Sequence, residues 1–394
     1  AFFLPQKVVL LGGKLIATGS RSCIINPNIK CKNNRNKKRD KKTISKISFG
    51  DEAEENSIRE KTINDMIKRI PGYKKWALIY DDICKPPSYN DSVKIDKDIN
   101  KCIKEEDTYE LHGGIESKKN ELFEDSIMLI GEFGGETFGD YFNKKFSEIN
   151  MMKDLEREFL ILMKKMKDIF KGLVDLNAYE ISHLDIKQNN IVISKKNFKF
   201  IDFGISSKFN DIEHFLTRGY HEFRTDRIYY WYPIEYIYSS ASNEELELEE
   251  EKLYEDGIQD YRKHMDSIYE IYTYLGIDIE SFINDLLKKY KNMDKKEFFY
   301  NEYYDIIRSI DTYSFGMLVP MMLYNQDLLE NAHKSKLLTE FLNIFALMLE
   351  PHYKDRISIN DAYVLFEQLL EKYSSSKSKK KSKKKSRKKS KKKK

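Results

Sequence analysis

The chain has 394 residues, 40% hydrophobic and 13% aromatic, with a formal net charge of +5, enough apolar material for a sizeable core in one or two domains. Its four cysteines, Cys23, Cys31, Cys84 and Cys102, contain no C-x-x-C pair, which argues against a disulfide framework or a zinc site and for ordinary reduced thiols. The apolar runs 8–11 and 315–323 fall well short of the roughly 20 residues that cross a bilayer, so no membrane span is predicted, and Ala1-Phe2-Phe3-Leu4-Pro5 lacks the basic n-region of a secretory signal.

In chain order, Lys14 to Ile25 reads as strand, turn and strand around Gly19, and the polar, basic stretch 28–42 as a loop. Thr43-Ile44-Ser45-Lys46-Ile47-Ser48-Phe49 alternates as a strand does. Asp51 is placed to cap a helix running to about Arg69, where Pro71-Gly72 ends it. Residues 86–123 are polar and poorly periodic, an insertion. Ile127 to Ile130 forms an apolar strand that breaks into Gly131-Glu132-Phe133-Gly134-Gly135. From Met152 to Glu180, Leu155, Phe159, Leu162, Met166, Ile169, Leu173 and Leu176 recur at helical spacing, a long core helix.

The most informative stretch follows. His183-Leu184-Asp185-Ile186-Lys187-Gln188-Asn189-Asn190 precedes two short strands, Ile191–Ile193 and Phe198–Ile201, turning at 195–197, and then Asp202-Phe203-Gly204. Downstream stand Tyr232-Pro233-Ile234-Glu235, Asp311-Thr312-Tyr313-Ser314-Phe315-Gly316 and Pro351-His352-Tyr353-Lys354-Asp355-Arg356. The chain resembles the eukaryotic-type protein kinases: these segments match H-R-D-L-x-x-x-N, D-F-G, A-P-E, D-x-W-S-x-G and the late P-x-x-x-x-R in order, with Leu184 in place of the arginine. The match covers most of residues 14–370. It implies an α+β, two-lobed fold, with a β-rich N-lobe over 1–133 (insertion about 86–123) and a helical C-lobe over 134–373 (helical insertion about 239–304).

The resemblance also implies roles. Phosphoryl transfer asks the protein mainly to position groups and stabilise charge. Asp185 would accept the substrate proton, Lys187 would neutralise charge on the transferring group, and Asn190 and Asp202 would hold Mg2+ on ATP. Ala17, Gly19 and Ile24 align with the glycine-rich phosphate loop, of which only Gly19 keeps a glycine. Lys46 would contact the α- and β-phosphates, oriented by a helix glutamate. Glu60 is chosen because Glu52, Glu54 and Glu55 lie too close to the strand to return over it. Backbone groups of Glu132, Phe133 and Gly134 would meet the adenine edge, with Gly131, or Ile130 on a one-residue shift, as the gatekeeper; Gly131 would leave the back of the pocket open. His183, Phe203, Gly204, Glu235, Asp311 and Arg356 would be structural, Glu235 pairing with Arg356 and Asp311 bonding the catalytic-loop backbone.

Lys187 favours a Ser/Thr enzyme, although Ile228 stands seven residues before Glu235, where such enzymes carry threonine. Without an arginine at position 184, a phosphorylated activation segment lacks its usual cationic partner. Two alternatives come from other classes: a pseudokinase scaffold, motivated by the eroded glycine loop, and a small-molecule kinase, disfavoured by Lys187, Glu235, Asp311 and Arg356. The paired hinge glycines, the H-x-D-I-K-x-x-N loop and the aromatic run Tyr229-Tyr230-Trp231-Tyr232 resemble kinases of large DNA viruses, which would place the protein inside a host cell, in cytoplasm or virion. The partners so implied are protein substrates.

Residues 377–394 hold 14 lysines and arginines and no acid, so the rest of the chain is net acidic. Such a run repels itself, and a disordered tail over 374–394 is expected. It suits an anionic partner, nucleic acid or another anionic surface. The acidic run 244–251 reads as a solvated face.

Overall fold

A computed structural model describes residues 14–18, 22–33, 40–103, 115–224, 229–233, 235–236, 267–278 and 295–390. Gly19 and Ile228 lie outside them, as do 239–266 and 279–294 of the expected C-lobe insertion. By contacts the chain divides into a β-rich unit, residues 1–71, 78–134 and 202–204, and a helical unit, residues 72–77, 135–201 and 205–394.

The β-rich unit is a five-stranded antiparallel sheet. Its strands are β1 (Lys14–Thr18), β2 (Ser22–Asn26), β3 (Thr43–Ser48), β4 (Tyr80–Cys84) and β5 (Ile127–Glu132), in the spatial order β1-β2-β3-β5-β4. Side chains alternate across a strand, and directly paired residues share a face. The pairs Ala17–Ile24, Ile24–Lys46 and Lys46–Leu129 therefore align on one face. Gly131 lies on that same face, two residues beyond Leu129, whereas Ile130 is buried on the other with Ile25 and Ile47. Helix α1 (Ala53–Ile67) covers the Lys46 face. It starts two residues after Asp51, with Glu52 at the N-cap and no side-chain cap, so Asp51 does not play the expected capping role; Glu54 and Glu55 in the first turn suit the helix dipole instead.

The 86–123 insertion is not a solvated loop. It forms α2 (Tyr89–Ile95), a 3-10 turn (Lys97–Lys101) and α3 (Ile115–Glu124). Tyr89, Ile99, Cys102, Ile103 and Phe123 from this segment pack with Cys23, Ile25, Ile47, Phe49 and Ile130 on the face opposite Lys46. Its few apolar residues are spread over three short elements, which is why no single period showed.

The cysteines correct the expectation of free thiols. Cys23 is bonded to Cys102 and Cys31 to Cys84, with Cα separations of 5.4 and 5.8 Å, inside the span a disulfide requires. The partners lie 79 and 53 residues apart, so only the fold, not a local spacing motif, brings them together.

In the helical unit, Thr137 caps α4 (Phe138–Phe146), and α5 (Met152–Ala178) buries all seven of its periodic apolar residues. A methyl group at Gly172 of α5 would meet the buried Trp76 ring at 2.6 Å, so glycine is what lets the indole lie against the helix. Strand β6 (Glu136–Thr137) joins the hairpin of β8 (Ile191–Ser194) and β9 (Asn197–Phe200), which turns at Lys195 with φ of 62°; β7 (Ile181–Ser182) pairs with β10 (Ser207–Lys208). Then come α6 (Ile212–Arg224), α7 (Lys295–Tyr324), α8 (Lys336–Met348) and α9 (Ile359–Ser390).

Two boundaries move. Asp311 was expected to start a buried helix, but α7 begins at Lys295, so the motif lies mid-helix and takes in the last residues of the expected insertion. Tyr303, Ile306, Ile307 and Ile310 are buried ahead of it at helical spacing. Helix α9 continues to Ser390, past the start of the tail expected to be disordered; lysine is a good helix former, while like charges one turn apart oppose the helix. No helix among the described residues is long and apolar enough to cross a membrane.

Candidate active site

In the β-rich unit, three residues far apart in sequence meet. Lys46 Nζ on β3 donates to Glu60 Oε2 on α1 at 2.9 Å and to Asp202 Oδ1 at 2.7 Å. Burial alone would drive the ammonium toward its neutral form, but the carboxylates of Asp202 and Glu60 outweigh it and hold the Lys46 pKa well above the ordinary lysine value. Glu60 is raised chiefly by burial, with Lys46 and a backbone hydrogen bond from Phe203 acting against the shift. Asp202 adopts φ of 61°, and Phe203 is buried. A Cβ on Gly204 would lie 3.4 Å from Asp202 Oδ1 and Glu60 Oε2 and 3.5 Å from Lys46 Nζ, so glycine keeps the surroundings of these charges open.

Ala17 and Ile24 stand opposite each other on the Lys46 face of the sheet. At the end of β5, Glu132 is exposed and Phe133 is 37% exposed. The Phe133 N–H is given to the Lys42 carbonyl at 2.7 Å, which removes that donor from the expected adenine contacts. The space beside Gly131 is filled by Tyr80, contrary to the open pocket expected from a glycine there. A Cβ on Gly131 would lie 2.9 Å from Tyr80 Cδ1 and 3.0 Å from the Ile79 carbonyl oxygen.

In the helical unit, the loop after β7 carries the second set. Asp311 Oδ2 and Oδ1 accept from the backbone N–H groups of His183 at 2.6 Å and Leu184 at 3.0 Å. Burial raises the Asp311 pKa, opposed by His183 and these hydrogen bonds. The Asp185 N–H donates to His183 Nδ1 at 3.3 Å, and on the other side of the ring His183 Nε2 lies 3.2 Å from the Ile201 carbonyl oxygen, which accepts from it. Leu184 is fully buried with φ of 61°, a backbone region that a branched side chain rarely adopts.

The Asp185 carboxylate is thus presented by a pinned backbone. Its Oδ2 accepts from Asn190 Nδ2 at 2.7 Å and pairs with Lys187 Nζ at 2.9 Å. Asn190 also donates to the Asp185 carbonyl at 2.9 Å, an orientation that leaves its amide oxygen as a hard-cation ligand. Lys187 lies 5.1 Å from the centre of the Trp231 ring, a cation–π contact, and Tyr230 Oη donates to Gln188 Oε1. Farther along, Arg356 Nη1 donates to Glu235 Oε1 at 2.8 Å with both side chains fully buried. Ser314 Oγ bonds the Trp231 carbonyl at 2.5 Å, tying the aromatic run to α7.

The Asp202 carboxylate and the Asn190 amide are oxygen donors of the type that magnesium takes from protein. Sequence reasoning did not single out Tyr80 or the Trp231 contact. Trp231 stood in a conspicuous aromatic run, whereas nothing marks Tyr80 in the polar strand Tyr80-Asp81-Asp82-Ile83-Cys84.

Comparison with known families gives a match of residues 111–241 to the protein kinase domain. The matched segment is similar to a protein kinase domain, and the β-sheet region in the N-terminal part of the chain and its helical C-terminal part are consistent with the α+β kinase fold.

Proposed function

We propose that the protein is an ATP- and Mg2+-dependent protein kinase that transfers the γ-phosphoryl group to Ser/Thr hydroxyls of protein substrates. The observation that carries this reading is the meeting of Lys46, Glu60 and Asp202 through two charge-assisted contacts of 2.9 Å or less. A chain that only binds partners has no use for such an arrangement. Lys46, steadied by Glu60, holds the α- and β-phosphates. Asp185 takes the proton of the incoming hydroxyl as the oxygen–phosphorus bond forms, and the ADP oxygen leaves with the electrons of the breaking bond. Lys187 offsets charge on the group in transit. Asn190 and Asp202 would hold Mg2+, which when bound neutralises the phosphate oxygens. Serine/threonine preference rests on Lys187, two residues after Asp185, and an anionic partner for the tail rests on the charge of 377–394.

The test is transfer from labelled ATP to generic protein substrates with magnesium, comparing wild type with Asp185→Asn and Asp202→Asn, and phosphoamino-acid analysis of the product. Wild type alone should transfer label, to serine and threonine. Equal transfer by all three proteins would sink the assignment, and nucleotide binding without transfer by wild type would favour a scaffold.

A further inference from the structure

Gly131 and Tyr80 are neighbours on adjacent strands, paired directly across β5 and β4. Gly131 lies on the sheet face that carries Lys46, and the Tyr80 ring centre is 5.9 Å from Lys46 Nζ. Tyr80 is buried at 8% exposure. Its ring occupies the volume into which any side chain at 131 would project, because a Cβ there would approach Tyr80 Cδ1 to 2.9 Å and the Ile79 carbonyl to 3.0 Å. Two substitutions common in principle are thus mutually exclusive here: a side chain at 131, or an aromatic ring at 80.

We infer that Tyr80 is a specificity-determining residue of the nucleotide site, supplying from β4 the back wall that Gly131 on β5 lacks, and so excluding adenine nucleotides enlarged at the exocyclic amino group. The inference rests on the ATP reading above, in which the Glu132 carbonyl, one residue past Gly131, meets that amino group. The wall beyond it is then the Tyr80 ring, whose contact with Lys46 joins the base end of the site to the phosphate end. Glycine at 131 by itself would predict a roomy pocket; the aromatic ring reverses that expectation. Removing the ring should open a cavity bordered by Gly131, Ile79 and Lys46 without disturbing the Lys46–Glu60 pair.

The experiment measures binding of ATP and of ATP carrying a benzyl group on N6 to the full chain by fluorescence displacement, for wild type, Tyr80→Ala and Tyr80→Leu. Wild type should bind the benzyl analogue at least tenfold more weakly than ATP. Tyr80→Ala should bind the benzyl analogue, relative to ATP, at least tenfold more tightly than wild type does. Equal affinity of wild type for both nucleotides, or no gain in a folded Tyr80 variant that still binds ATP, overturns the inference while leaving the ATP reading intact. Failure of wild type to bind ATP at all overturns both.

A reciprocal measurement needs no nucleotide. Gly131→Ala should lower the melting temperature, and Gly131→Ala/Tyr80→Ala should regain more than half of that loss relative to Tyr80→Ala alone. Strictly additive losses would mean that the two positions do not share the space.

Discussion

Lys46 Nζ donates to Asp202 Oδ1 at 2.7 Å across 156 positions of sequence, and the same ammonium holds Glu60 at 2.9 Å. Removing the cation leaves the buried Glu60 carboxylate and the partly exposed Asp202 carboxylate without their shared counter-charge. Lys46→Met should therefore reduce phosphoryl transfer by about 10²–10³-fold, the usual loss on deleting a charge-stabilising donor, and lower the melting temperature as well. Lys46→Arg keeps the charge but not the compact ammonium, so it should recover stability before activity. Steady-state kinetics and thermal melts on the same preparations separate the two effects.

The buried Glu235–Arg356 pair gives a stability prediction free of any assumption about nucleotide. Arg356→Met leaves Glu235 charged and buried, which should cost about 3–5 kcal/mol by chemical denaturation. Glu235→Gln/Arg356→Met should cost less than the two single losses combined. Additive losses would show that the pair contributes nothing as a pair.

The disulfides should be visible chemically. Under denaturing, non-reducing conditions the protein should offer no thiol to alkylation, and four after reduction. Cys23→Ser/Cys102→Ser should lower stability by about 2–5 kcal/mol, chiefly in the β-rich unit. Free thiols before reduction would restore the reading made from sequence.

Leu184 yields a prediction about regulation. It is fully buried and offers no cation to a phosphate in the segment that follows Gly204. Phosphatase treatment should leave the transfer rate within about twofold of the untreated enzyme, a change well under the 1.4 kcal/mol that a tenfold effect represents. A tenfold fall on dephosphorylation would require another cationic partner.

Much of the site was legible because phosphoryl transfer fixes residue types at fixed local spacings. Asp185, Lys187 and Asn190 lie within six residues, and Asp202 follows across one hairpin, so the residues on which the proposed chemistry rests could be picked out from local spacing. Glu60 was reachable by a length argument: the chain must turn back over β3, which removes the glutamates nearest the strand. What stayed hidden depended on contacts between distant segments. Cys23 and Cys102 are 79 residues apart and carry no motif, and Tyr80 gains its meaning only from the glycine opposite it. The true start of α7 at Lys295 was masked by reading the Asp311 motif as a boundary, although Tyr303, Ile306, Ile307 and Ile310 already keep the helical period. The Asp51 cap failed for a smaller reason, since any of several acids near a helix start satisfies the same electrostatic preference.

The packed insertion has a consequence for how this protein is controlled. A sheet covered on one face leaves the other to solvent or to whichever protein fits it, and that second face is a natural place for a regulator to press on the strands. Here residues of the 86–123 segment occupy it, bonded to β2 through Cys102 and Cys23 and to β1 through Asp98, whose carboxylate accepts from the Leu15 N–H at 3.3 Å. The chain has in effect installed its own permanent occupant. A binder raised against residues 86–123 should therefore attach without altering the rate, which steady-state kinetics with and without the binder checks.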